Sequence, residues 1–196
     1  MNEAKTTIYD FLGRGLLTEA ALDRAGRRRP ALAGYTDDEV AADLSIGLLD
    51  ETLVEEARKM ATVYAAIAAW ENSVRKLVST VLLEEFGENW WATHVAQAIR
   101  DNAEKRKQDE EKTRWHAQRG EDLIYYTELG DLVKTIRKNE NWPKFEPFLG
   151  DQDWVSTIFD SVEHSRNVIM HSGTLTQSDV QRLGIHLRDW VAQVGS

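Results

Sequence analysis

One long periodic segment, between Asp50 and Gly87, limits what this chain can fold into more than any other feature of the sequence. Apolar residues recur through it at helical intervals for roughly 35 residues, whereas an average helix has about 11. The recurring residues are Leu53, Val54, Ala57, Met60, Ala61, Tyr64, Ile67, Ala68, Val74, Leu77, Val78, Val81 and Leu82. A helix this long needs packing partners along its length, so the segment predicts a helical bundle.

The composition indicates an all-α protein. The 196 residues are 42% hydrophobic, include only three prolines and are rich in Ala, Leu, Glu and Arg, as is typical of helical proteins. The length suits one compact unit. We therefore predict an all-α helical domain over residues 51–196, preceded by an N-terminal helical extension over residues 1–50.

The N-terminal extension gives weaker signals. Residues 2–21 carry apolar residues at helical spacing, interrupted by two glycines, and predict a short helix or a helix pair. A basic run at residues 24–29 is interpreted as a solvated connector, with contact to RNA or an acidic partner as the alternative. Thr36, followed by three acidic residues, predicts the N-cap of a helix that runs through Leu44.

Charge and residue usage exclude several classes of protein. The formal net charge of −9 argues against a general nucleic-acid binder, because such proteins carry a basic excess. There is no cysteine, and the histidines show no metal-ligand spacing, so we expect no metal site and no cofactor. No apolar run approaches the ~20 residues of a membrane span, which predicts a cytoplasmic protein without membrane contact.

A later helix carries a charge where its pattern requires an apolar residue. The apolar stripe of this helix consists of Val155, Ile158, Phe159, Val162 and Ile169. Arg166 lies about 20° from Val155 around the axis and therefore falls inside the stripe. A guanidinium cannot shed its proton, so at a buried position it needs a carboxylate, a phosphate or carbonyl groups as partners.

His171 follows Arg166 by five residues and is succeeded by Ser172 and Gly173, a helix stop. Five residues turn an unbroken helix through about 140°, so Arg166 and His171 converge only if the helix ends or bends near Met170. His164 lies about 180° from the stripe and should face solvent.

The string from Arg166 to His171 resembles the arginine, four-to-six residues, histidine motif of the HEPN superfamily, small helical domains that include many ribonucleases. The context agrees, because a polar residue, Asn167, follows the arginine and a shorter helix ending in Asp189 and Trp190 follows the motif. The aromatic tracts 87–91 and 125–145 resemble the branch found in RNA-surveillance and bacterial defence proteins. The resemblance extends over residues 63–194.

The resemblance implies a HEPN-like up-and-down helical bundle and a metal-independent endoribonuclease that acts in toxin or anti-phage defence. It assigns Arg166, Asn167 and His171 as catalytic residues, and it implies a homodimer in which two motifs share one site. An antitoxin or another regulatory protein is a further expected partner. Glu71 and Arg75 match the glutamate, three residues, basic residue feature of many HEPN domains, with a solvent-exposed helical pair as the alternative.

The residue chemistry suits RNA cleavage. RNA carries its own nucleophile, the 2′-hydroxyl, so the protein must supply proton transfer and charge stabilisation. Histidine can transfer the protons near neutral pH, and the planar fork of arginine can bind the scissile phosphate. The alternative is a non-catalytic dimerisation or binding module, in which Arg166 pairs with a glutamate and His171 caps a helix C-terminus.

The remaining segments are assigned to the bundle. Trp90 and Trp91 are interpreted as core residues, with base stacking as the alternative. Residues 100–119 predict a solvated helical extension or a mobile loop. We predict one helix starting after Thr127 and another over residues 176–194, with an aromatic connector over residues 142–148 between the first of these and the motif helix.

Overall fold

The computed structural model describes residues 34–113 and 115–195. Over these ranges the chain forms eight α-helices and two 3-10 helices, and no strand. The predicted all-α helical bundle is therefore confirmed. Over the same ranges, the helices are too short or too polar to cross a membrane. The chain divides into two compact units between Glu51 and Thr52.

The first unit contains α1 (Asp37–Asp43) and a 3-10 helix (Ile46–Leu48). Thr36 is the N-cap of α1, as predicted, and its hydroxyl accepts a hydrogen bond from the backbone N–H of Glu39. The Glu39 carboxylate in turn accepts one from the Thr36 backbone N–H. The two other predictions for this region, at residues 2–21 and 24–29, lie outside the described residues.

The remaining helices are α2 (Glu51–Phe86), α3 (Trp90–His94), α4 (Gln97–Glu111), a 3-10 helix (Leu123–Tyr126), α5 (Leu129–Arg137), α6 (Trp142–Leu149), α7 (Gln152–Met170) and α8 (Gln177–Val194). The long helix α2 is confirmed within one residue at each end. It ends at Gly87, whose φ of 72° lies in the left-handed region that glycine adopts without strain.

The core forms where the apolar stripes of α2 and α7 meet α5 and α8. Val155, Ile158, Phe159 and Val162 of the α7 stripe are buried, as predicted. The indole of Trp70 on α2 makes edge-on contacts with the ring of Phe159, at a centroid distance of 4.9 Å, and with that of Trp190, at 5.5 Å. These aromatic contacts tie three helices together behind the candidate site.

One segment differs from its prediction, and a second agrees with its predicted helical form only in part. The expected aromatic connector at 142–148 is the helix α6, because Pro143 occupies one of its first two positions, where a missing backbone N–H costs nothing. The polar tract 100–119 belongs in part to α4, which buries Ile99 and Ala103 against the bundle. Both helices depend on tertiary contacts that their own periodicity does not reveal.

Thr176 is the N-cap of α8, and its replacement provides a test of the fold. Its hydroxyl accepts a hydrogen bond from the Asp179 backbone N–H, and hydrogen bonds from Thr176 lower the pKa of Asp179. We expect Thr176→Ala to lower the free energy of unfolding by about 1 kcal/mol, because the first turn loses its cap. Urea denaturation measures this loss. The exposed Thr174→Ala control should stay within about 0.5 kcal/mol of wild type.

Candidate functional site

The C-terminal end of α7 fixes the backbone around His171. Met170 is the last helical residue, and the His171 N–H still donates to Asn167 O over 3.1 Å. The Ser172 N–H then donates to Ile169 O over 2.9 Å, and the Gly173 N–H to Val168 O over 2.8 Å. With Ser172 in the left-handed region at a φ of 59°, this is a Schellman motif. The predicted helix stop is therefore confirmed.

Gly173 is required by close approach of the chain rather than by a positive φ. A Cβ atom at this position would lie 2.8 Å from Val168 Cγ1 and 2.9 Å from Val168 O. Any side chain would therefore push the turn away from the last helical carbonyls. The glycine thus helps to hold His171 at a fixed place on the end of α7.

Arg166 contacts a carboxylate of α2. Its Nε lies 3.6 Å from Glu71 Oε2, and its side chain is 33% exposed. Neither Nη atom donates a hydrogen bond to any described residue. Arg166 is therefore half-buried rather than buried, because α7 reaches the margin of the core at this position. Its outer nitrogens remain available to a ligand.

Glu71 forms ion pairs with both Arg75 and Arg166. Arg75 Nη2 donates to Glu71 Oε1, and the Glu71 and Arg75 side chains are only 10% and 11% exposed. The same guanidinium donates from Nε to Ile124 O over 3.3 Å and from Nη2 to Thr127 O over 3.2 Å. The interpretation of Glu71 and Arg75 as a solvent-exposed pair is therefore wrong. They form an anchored ion pair that faces the motif helix.

The other two predicted catalytic residues are both exposed. Among the described residues, no hydrogen bond or ion pair joins the side chain of Asn167 or His171 to the three charged residues. The hydrogen bond from His171 N to Asn167 O keeps the backbone helical up to the histidine, so the turn of about 140° from Arg166 persists. The convergence of the Arg166 and His171 side chains on one site stays a prediction.

A groove of about 610 Å³ adjoins the motif. It lies between the N-terminal half of α2 and the turn after α7, and Met60, Tyr64 and Met170 contribute to its lining. Tyr64 is 42% exposed and Met170 is 54% exposed. The motif therefore borders an apolar surface, which no local sequence pattern indicates because its residues are distant along the chain.

The remaining candidates are His164 and possible metal-binding side chains. His164 is exposed, as predicted, and its Nδ1 lies 3.0 Å from Asp160 O of its own helix. In the part of the chain that the structure describes, no group of three or more His, Asp or Glu side chains is placed to hold a metal ion.

The chain matches a known protein family. A family model described as Swt1-like HEPN matches residues 66–195, more than half of the chain. The matched range includes Glu71, Arg75 and the complete motif from Arg166 to His171. No curated protein and no solved structure matches the chain significantly.

Proposed function

Because this chain belongs to the Swt1-like HEPN family, we propose that it is an endoribonuclease of the HEPN type, with RNA as its substrate. One observation carries the proposal. Arg166 is anchored through Nε by a buried glutamate while its two Nη groups have no described partner. An arginine held in this way presents the edge of its planar fork, from which two N–H groups can bind a phosphate in bidentate fashion.

The proposed reaction is transesterification within the RNA. The 2′-oxygen attacks the adjacent phosphorus, the P–O5′ bond breaks, and the products carry a 2′,3′-cyclic phosphate and a 5′-hydroxyl. His171 takes the proton of the 2′-hydroxyl or supplies one to the leaving 5′-oxygen. Arg166 stabilises the charge on the phosphate, and the Asn167 amide orients the phosphate or the imidazole. The nucleophile comes from RNA, so the mechanism needs no metal ion.

The proposal includes a homodimer. The reaction needs both an acid and a base, and each chain supplies one His171. Arg166 and His171 of one chain leave the helix about 140° apart around its axis, so a second motif would help to surround one phosphate. A second chain related by a twofold axis would bring another Arg166 and His171 to the site. The apolar groove beside Met170 supports such an association, because exposed apolar surface favours burial.

The direct test is RNA cleavage by the purified protein followed by analysis of the product ends. We expect 2′,3′-cyclic phosphate and 5′-hydroxyl ends, and the same rate with and without EDTA. Products with 3′-hydroxyl ends, or activity lost with EDTA and restored by a divalent cation, would contradict the proposed chemistry.

A mixing experiment tests whether two histidines share one site. Wild type is allowed to exchange subunits with an equal amount of His171→Ala, and only dimers of two wild-type chains keep both histidines. We expect about a quarter of the activity of the undiluted wild type, against about a half if each chain acts alone. Mixing with His164→Ala should leave the activity unchanged. A tagged pull-down confirms that mixed dimers form.

We also propose that the cleavage serves toxin or anti-phage defence in the cytoplasm, under the control of an antitoxin or another regulatory protein. The resemblance to defence proteins supports this role. Expression of wild type should arrest growth, and expression of His171→Ala should not. Equal growth of cells that express either protein at the same level would argue against a toxin.

The ion pair between Arg166 and Glu71 also supports a second candidate, a non-catalytic binding or dimerisation module. In that case the ion pair only joins α2 to α7, and His171 acts as a favourable cation at a helix C-terminus. This candidate predicts no RNA cleavage by wild type under any condition, and a lower stability of the Arg166→Ala variant.

A further inference from the structure

A second recess, of about 420 Å³, shares no lining residue with the motif. It is formed by α2, the start of α3 and the segment before the second 3-10 helix. Its lining includes Ser79, Leu83, Trp90, Trp91, Glu121 and Asp122. The recess therefore combines two indole rings with two carboxylates, a combination that the nuclease proposal does not use.

The two indoles form adjacent walls. The ring centroids of Trp90 and Trp91 lie 5.5 Å apart and the ring planes are inclined at 88°. Both residues are half-buried, because they also pack against the hydrophobic core. Their orientation is therefore held by the fold. In this edge-to-face pair both indoles line the recess, and an indole attracts a cation through its ring face more strongly than the other aromatic side chains do.

The carboxylates of Glu121 and Asp122 add negative charge to the same recess. Both residues are exposed, and neither carboxylate has a hydrogen bond or an ion pair with any residue that the structure describes. Lys107 Nζ approaches this segment, but it donates to the backbone carbonyl of Glu121 over 2.9 Å rather than to a carboxylate. The two acids can therefore pair with a cation from outside the chain.

We propose that this recess binds an arginine side chain presented by a partner protein. A guanidinium can stack on an indole face and at the same time donate paired hydrogen bonds to a carboxylate. Single-stranded RNA could stack on the same indoles, but the two carboxylates would repel its phosphates. Charge complementarity therefore favours a basic protein segment over RNA. The proposal is independent of the nuclease activity.

NMR of the indole N–H groups of the full chain tests this proposal. The probes are acetyl-Gly-Arg-Gly-amide and its neutral counterpart acetyl-Gly-Gln-Gly-amide, and Trp90→Phe and Trp91→Phe identify the two signals. We expect the arginine peptide to shift both signals with a Kd on the order of 1 mM. The glutamine peptide should shift them at least roughly fivefold less at equal concentration.

Charge variants separate ion pairing from apolar contact. The double variant Glu121→Gln with Asp122→Asn should weaken binding of the arginine peptide roughly tenfold. Glu84→Gln, on an exposed part of α2 that does not line the recess, should leave it unchanged. No shift with the arginine peptide up to about 20 mM, equal shifts with the two peptides, or full binding by the double variant would overturn the proposal. So would shifts produced by a trinucleotide RNA and not by the arginine peptide.

Discussion

Replacement of His171 by alanine is expected to lower the rate of RNA cleavage by about 10²- to 10⁴-fold, the usual contribution of a positioned proton-transfer group. The fold should be unaffected, because the imidazole is exposed and makes no described contact. The Schellman motif uses only backbone groups of residues 168–173, which the substitution leaves in place. A cleavage assay under single-turnover conditions, together with thermal denaturation, measures both effects.

His164 provides the matched control. It is also an exposed histidine of the motif helix, and it lies seven residues before His171. His164→Ala should keep the wild-type cleavage rate within about twofold and the wild-type stability within about 0.5 kcal/mol. If His164→Ala and His171→Ala lose activity equally, or if neither does, His171 is not the proton-transfer group.

Replacement of Glu71 by alanine is expected to lower the free energy of unfolding by about 3 kcal/mol, because it leaves two guanidiniums near each other without their shared carboxylate. Arg75 is nearly buried, so its charge would lose most of its compensation. RNA cleavage should also fall, since Arg166 would lose the contact that orients its fork. Urea denaturation and cleavage assays at a temperature where the variant is folded measure the two losses separately.

Two variants show whether Glu71 positions Arg166 or only stabilises the fold. Glu71→Gln keeps the size of the side chain and one oxygen that can accept a hydrogen bond, so this variant should lose less stability than Glu71→Ala. Its RNA cleavage should still fall, because the charge that attracts Arg166 is gone. Glu84→Ala removes an exposed glutamate from the same helix and should change neither quantity beyond about 0.5 kcal/mol and twofold. Full cleavage activity in folded Glu71→Gln would reduce Glu71 to a structural role.

The sequence predicts the long elements of this fold well because each carries its own signal. The helix α2 repeats its apolar pattern for ten turns, Thr36 and Thr176 provide N-caps, and Ser172 with Gly173 stops the motif helix. The helix α6 is missed because Pro143 and Pro147 suggest a connector. Its formation depends on burial of Phe145 and Leu149 in a core that the local sequence does not describe.

The candidate site was predictable only in part. The i, i+4 spacing identifies Glu71 and Arg75, and the break in the apolar stripe identifies Arg166. The partners of Arg75 are backbone carbonyls 49 and 52 residues further along the chain, which no local pattern encodes. The direction of His171 relative to Arg166 likewise depends on one hydrogen bond at the helix end rather than on residue type.

Arg75 connects the motif cluster to the second 3-10 helix. Its guanidinium donates a hydrogen bond to the Glu71 carboxylate, which also pairs with Arg166, and another to the backbone carbonyl of Ile124. Ile124 lines the recess that contains Trp90 and Trp91. Any occupant that displaces this 3-10 segment must therefore change the hydrogen bonds of Arg75. If a protein bound in the recess raises the affinity of the chain for RNA through Arg75, then bound RNA must raise the affinity for that protein by the same factor.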